Sequence, residues 1–318
     1  MDTILETDLE KNIESDKIED IEENNTKKVE EPDKKILDFL CHYSYSLFII
    51  NSLILLGSFI VLTVLTVLYN SDLDKFFWIN QLIKYCIVSI IQYTMSLLVI
   101  YKDVRVNYTR KVIHISYFLW PQLLDILLIK YEKNKFTEFW NVWIILCLLL
   151  ALSEHVRKKI GIIDMMFKAV DRPEDRPYTL IWFSSQIIST LIIVIPFSVY
   201  FSRIDKIGLI FIPILINGLA DGLAEPVGIR FGKHKYKTRA CLSSREYERS
   251  YEGSACVFIV STIIILAYYT YMSTYQYIFC TLLIPIITTF TEAYSPHTWD
   301  SPCIFFVVCS LLIVSTFL

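Results

Sequence analysis

Glycine is scarce in this chain: 8 of 318 residues, five of them between Gly218 and Gly253. No Gly/Ser-rich or collagen-like tract occurs, which excludes long flexible linkers and a triple helix. No Gly-x4-Gly-Lys-Ser/Thr segment occurs, so there is no P-loop. Cys41, Cys86, Cys147, Cys241, Cys256, Cys280, Cys303 and Cys309 form no Cys-x-x-Cys. Most lie in apolar runs and read as small membrane-core residues, not as a disulfide framework or a zinc site. No internal repeat is visible, and no soluble basic domain, so nucleic acid is not an expected partner. The first residues lack the charged-then-apolar layout of a signal peptide, and their acids argue against a transit peptide.

What the chain does have is hydrocarbon. It is 54% hydrophobic with mean hydropathy +0.47, in long runs that fit a soluble domain poorly. Residues 1–40 carry 14 acids against 6 lysines under a formal net charge of −3. The segment 1–44 therefore reads as an acidic, disordered cytosolic tail. Residues 45–318 read as one membrane-embedded, all-α, polytopic domain. A hydrocarbon layer of ~30 Å needs ~20 helical residues. Candidate spans are 45–69, 80–100, 112–129, 139–153, 179–200, 206–220, 254–271, 275–290 and 301–318, about nine in all. The first of them can serve as an uncleaved targeting signal. With the acidic head in the cytosol, cytosolic loops 101–111, 154–178 and 221–253 hold 17 Lys+Arg. The opposite loops, 70–79, 130–138 and 201–205, hold 5. Positive-inside bias supports that orientation.

Between Asn217 and Ser254 the hydrocarbon gives way to acids, bases and glycines. Charge beside a hydrocarbon layer marks a functional site by default. Asp221 and Glu225 are four apart, so a helix puts both carboxylates on one face, within reach of one cation. Mg²⁺ shared with phosphate oxygens would satisfy both, and Asn217 adds a neutral oxygen. Gly218, Gly222, Gly228 and Gly232 allow close backbone approach and positive φ. Pro226 is placed to break or redirect the helix. Arg230, Lys233, Lys235, Lys237 and Arg239 follow, as a metal–polyphosphate complex would require. The run closes on Arg249, Ser250, Gly253 and Ser254, where an opening helix favours anions. A basic loop is also ordinary topology signalling, and Lys233, Lys235 and Arg245 fit that simpler description.

Three further patches lie on the same side. Arg110, Lys111 and His114 stand at a helix entrance, suited to phosphate contact or to proton transfer from an alcohol. Glu154, His155 and Arg157 precede the segment 171–177, which reads as loop structure. Glu292 ends one span, and Asp300 opens the next across Ser295–Pro296. On this reading polar groups gather at one interface and do not run through the middle of the spans, which disfavours a transporter.

These residues resemble the integral-membrane lipid kinases that take phosphate from CTP: dolichol, phytol and farnesol kinases and the yeast-type diacylglycerol kinase. The phosphatidate cytidylyltransferases are more distant relatives. The segment 220–232, ADGLAEPVGIRFG, is similar to the family core, with Asp221, Glu225, Gly228, Arg230 and Gly232 on its positions. RSYEGS at 249–254, RKVIH at 110–114 and TEAYSPHTWDSP at 291–302 follow its other motifs, so the likeness covers about residues 100–310. The sequence departs from the pattern at Glu225 for aspartate, Arg249 for lysine and Ala220 for glycine, and its link at 240–248 is longer.

The resemblance implies a multi-pass enzyme of the endoplasmic reticulum with a cytosolic N-terminus. It would move the terminal phosphoryl of CTP to a membrane isoprenoid alcohol. Asp221 and Glu225, with Glu292, would hold Mg²⁺. Arg230, Lys237, Arg239, Arg249, Arg110 and Lys111 would hold phosphates, with Asn217, Gly218, Gly222, Gly228, Gly232, Ser250, Gly253 and Ser254 around the nucleotide. Asp300 or His114 would take the proton. Diacylglycerol as acceptor, a cytidylyltransferase and a transporter are the alternatives. The oligomeric state stays open.

Overall fold

The computed structural model describes residues 45–69, 75–127, 135–239, 246–296 and 298–318. The acidic head, Arg245 and His297 lie outside the described residues, as does the Arg239 side chain. Long apolar runs with few breakers fold as helices, because in lipid each backbone polar group must be satisfied within its own segment. The chain opens with α1 (Tyr45–Leu68), α2 (Lys75–Lys102), α3 (Val106–Leu127) and α4 (Lys135–Ala151). Two short helices, α5 (Glu154–Arg157) and α6 (Gly161–Phe167), lead to α7 (Thr179–Arg203). A composite helix follows: a 3-10 turn at Ile207–Ile210, α8 (Phe211–Leu215), a π segment (Ile216–Asp221) and α9 (Gly222–Phe231). Then come β1 (Lys235–Arg239), β2 (Glu246–Ser250), α10 (Tyr251–Ala267), α11 (Thr274–Tyr294) and α12 (Asp300–Ser315).

Among the described residues, five helices are long and apolar enough to cross a membrane: Phe48–Leu68, Lys75–Lys102, Thr179–Arg203, Ile207–Phe231 and Thr274–Tyr294. Three shorter apolar helices accompany them, Phe136–Ala151, Tyr251–Ala267 and Asp300–Ser315. The predicted span 112–129 falls on α3, whose charged first half keeps it apart from both groups. The chain is thus an all-α protein consistent with several membrane crossings.

The composite helix is the centre. Of its apolar window 61% is buried, against 0% for α1 and α7, whose exposed Leu, Ile and Val suit contact with lipid. Ile212, Ile216 and Ala220 pack with Val257 and Ile265 of α10, Ile284 of α11 and Phe305, Val308 and Leu312 of α12.

Three expectations change here. The span predicted at 206–220 runs on to Phe231, so most of the acidic half of the predicted loop is helix. Pro226 does not end that helix; it sits in the first turns after the π segment, where the ladder is already shifted. The basic half is not an open loop either. β1 and β2 form an antiparallel ribbon with Lys235 opposite Ser250 and Arg239 opposite Glu246.

Candidate functional site

The first turns of α3 present Asn107, Arg110, Lys111 and His114 at the i, i+3, i+4, i+7 spacing of one helix face. That face meets the two acids. Lys111 Nζ lies 3.0 Å from both carboxylate oxygens of Asp221 and donates to its carbonyl as well. His114 Nε2 is 3.2 Å from Asp221 Oδ2 and 3.0 Å from the Asn217 carbonyl oxygen. Arg110 Nη2 reaches Glu225 Oε2 at 2.5 Å, and Asn107 Nδ2 donates to Glu225 Oε1 at 2.8 Å. Arg172 adds a guanidinium 3.6 Å from the same oxygen while donating to Asp175 at 2.7 Å. One helical turn thus carries two carboxylates with different partners.

A second pair closes the site. Arg249 of β2 donates to Glu292 of α11, which is buried. Burial works against the Arg249 charge, but Glu292, Asp300 and Asp221 outweigh it and hold the guanidinium protonated above its ordinary range. Asp300 opens α12, accepting from the Ser301 N–H at 3.0 Å and from Gln186 Nε2 at 3.1 Å. Tyr236, opposite Arg249 in the ribbon, pairs with Ser254 Oγ at 2.7 Å. Burial first, then Glu292, pushes its phenol up despite the Ser254 bond.

The glycines make room for protein. A Cβ at Gly222 would stand 2.4 Å from Ile115 Cγ1, and one at Gly218 would stand 2.7 Å from Phe118 Cβ, so α3 lies directly on the composite helix. A Cβ at Gly228 would meet Ser250 Oγ at 2.8 Å, and one at Gly253 the Ala224 carbonyl oxygen at 2.9 Å. Gly232 is closed in by the Gly228 carbonyl and Ser250. Ser250 itself caps α10 by accepting from the Gly253 N–H at 3.1 Å. No glycine among the described residues has positive φ, which corrects that part of the expectation.

Other predicted residues stay outside. Arg230 is exposed at the end of α9, 5.8 Å from the Phe231 ring centroid. Lys233 and Lys237 are exposed, and Lys235 faces Glu248 at 3.5 Å. Glu154 is exposed with Lys158 at 2.5 Å, whose hydrogen bond holds its carboxyl below the usual range. Two partners of Glu225 escaped the sequence: Asn107, which the helical spacing back from Arg110 and His114 would have shown, and Arg172, which read as loop.

The structure also overturns the expectation that polar groups gather at one interface. Asp125, near the far end of α3, takes Lys84 Nζ at 2.6 Å and Asn80 Nδ2 at 2.6 Å. Gln92 accepts from the Tyr117 hydroxyl at 3.2 Å between the two ion pairs. A polar seam therefore follows the α2–α3 contact.

Chemically, the site is a set of buried bases already neutralised by carboxylates. An incoming polyanion would exchange for those carboxylates at Arg110, Lys111, Arg172 and Arg249. Among the described residues no three His, Cys, Asp or Glu side chains converge as a metal-ligand set. An ion that arrives with a polyphosphate needs only one or two carboxylates, and Asp221 and Glu225 can supply those once their bases turn to phosphate. Compared with protein families, with curated proteins and with solved structures, the chain matches none.

Proposed function

We propose that this chain is a membrane lipid kinase that transfers the terminal phosphoryl group of CTP to an isoprenoid alcohol. The observation that carries the reading is the meeting of four segments far apart in sequence. Arg110–His114, Asp221–Glu225, Arg249 and Glu292–Asp300 form one group of alternating charges at one end of the bundle. These are the segments whose motifs resemble the CTP-dependent lipid kinases.

Arg110, Lys111, Arg172 and Arg249 hold phosphate oxygens and neutralise developing charge. Asp221 and Glu225 would hold Mg²⁺, with Glu292 available beyond Arg249, and the ion would supply positive charge to the phosphates. The alcohol oxygen attacks the terminal phosphorus, CDP leaves, and the hydroxyl proton passes to His114 or Asp300. Phosphate chemistry of this kind is set by position and charge, which suits a site built of paired charges. The active end faces the cytosol, where CTP is, and the endoplasmic reticulum is the proposed membrane.

Purified protein in detergent, given γ-labelled CTP and a prenol, should yield labelled prenyl phosphate and CDP. Diacylglycerol in place of the prenol tests the other acceptor. With phosphatidic acid as acceptor, release of pyrophosphate and CMP transfer to the lipid phosphate would make the protein a cytidylyltransferase. No transfer from any nucleotide to either lipid would sink the kinase reading. The Lys84–Asp125 pair favours a second reading, a transporter with a polar path along α2 and α3. Solute flux in liposomes without nucleotide turnover would select it.

A further inference from the structure

The charged site sits on a layer of polar groups that have no partner. Both amide atoms of Asn217 are buried without a hydrogen bond, and the side chain is 0% exposed. Asn217 lies in the π segment, one turn inward from Asp221. Ser261 of α10 and Thr288 of α11 are likewise buried with unpartnered hydroxyls. Thr288 lies one turn inward from Glu292. The Gly253–Ala224 contact sets the register of α9 against α10. Counting eight residues on from Gly253 and seven back from Ala224 puts Ser261 and Asn217 at one depth, about 11 Å from that contact.

Serine and threonine in a helix ordinarily satisfy their hydroxyls on the preceding turn, and an asparagine in an apolar core ordinarily finds a carbonyl. Three such groups left open at neighbouring depths, beneath one cluster, mark a place for a ligand. Its chemistry follows from the amide. A carboxamide offers one acceptor and one donor side by side, and a hydroxyl group accepts and donates at one atom. A phosphate could use only the amide N–H, and a metal only the oxygen. The π segment supports the same conclusion, since such bulges are kept where a helix serves a site.

We propose that the Asn217 carboxamide binds the hydroxyl of the membrane alcohol, one turn inside the charges that hold the phosphates. The inference rests on the kinase reading and deepens it. It moves Asn217 from the nucleotide to the acceptor. His114 is close by along the same helix contact, since its ring nitrogen meets the backbone carbonyl oxygen of Asn217. The hydrocarbon chain would remain among the apolar faces of the surrounding helices. Ser261, at the same depth, and Thr288, one turn inward from Glu292, are positioning residues.

The test is thermal melting of the full chain in detergent, with farnesol as the probe, beside acceptor kinetics. Farnesol should raise the melting temperature of the wild-type protein in the absence of nucleotide. Asn217→Leu should melt higher than wild type without ligand, because two unpaired polar atoms are gone. It should also lose the farnesol shift, and its KM for the alcohol should rise about tenfold or more while KM for CTP holds. Asn217→Ala repeats the test without added bulk if the leucine does not fit. A wild-type protein unmoved by farnesol, or an Asn217→Ala protein moved as far as wild type, means the amide holds only buried water and overturns the assignment. A farnesol shift in a protein that transfers no phosphate would leave this site standing and remove only the kinase reading.

Discussion

At the scale of single residues, the most informative group is Asp221. Its carboxylate is buried against Lys111 and His114. The residue is both the first acid of the motif and the counter-charge that lets Lys111 be buried. Read from the sequence alone, Asp221→Asn would remove the proposed activity and leave the fold alone. The structure changes that expectation. The substitution leaves a buried ammonium without its counter-charge, which costs about 3–5 kcal/mol. Thermal melting should show the loss, and adding Lys111→Met to Asp221→Asn should restore much of the stability but none of the phosphoryl transfer. A single Asp221→Asn protein as stable as wild type would show that Lys111 finds another partner. Gly222 offers a different test of the same contact. An alanine there puts a methyl 2.4 Å from Ile115. Overpacking of this kind typically costs about 1–3 kcal/mol, readable as a lower melting temperature.

Among the elements, α3 stands out because both its ends are held by buried ion pairs. Lys111–Asp221 fixes one end and Lys84–Asp125 the other. The 14 residues between Lys111 and Asp125 span about 21 Å and close to four turns, so both pairs lie near one face. Such an arrangement sets the rotation and depth of the helix that carries Arg110, Lys111 and His114. Lys84→Met should therefore destabilise the protein by about 3–5 kcal/mol, because it removes one member of a largely buried ion pair. The exchange Lys84→Asp with Asp125→Lys should recover part of that loss, and proteolysis in nanodiscs would compare the three. Recovery absent in the exchanged pair would argue for a direct role of Lys84 in a polar path.

The same helix shows what was legible. Arg110, Lys111 and His114 were visible as charges at the mouth of an apolar run, a local pattern. Their partners were not, because Asp221 and Glu225 lie more than a hundred residues on. The acids invited a metal because four-residue spacing shows only that they share a face. It does not show what stands opposite. Lys84 was hidden for the converse reason. One lysine within a long apolar segment leaves the segment apolar on average, and only the packing of α2 on α3 gives it Asp125.

For the whole molecule, the outstanding question is which way the bundle faces. Seventeen Lys+Arg in the loops on the side of the charged site against five opposite predict that this side is cytosolic, with the N-terminus. The chain carries its own reporter, since Asn24-Asn25-Thr26 is a glycosylation acceptor. In a eukaryotic membrane Asn24 should stay unmodified, while an acceptor triplet inserted between Arg203 and Lys206 should gain a glycan. Deglycosylation followed by gel mobility reads both. A glycan on Asn24 would invert the orientation and place the site away from the cytosol, against the proposed use of CTP.

Sequence by itself determined the helices and their apolar character, because the backbone in hydrocarbon has one local solution and hydropathy records it. It also placed the runs of several charges at the ends of those helices, because a cluster of charges interrupts hydropathy where a single lysine does not. Tertiary structure alone decided which base meets which acid, that the glycines seat helices against each other, that Arg172 and Asn107 belong to the site, and that Asn217 lacks a partner. Those are properties of contacts between distant segments, and pairing, exclusion and absence of a partner exist only once the segments have been brought together.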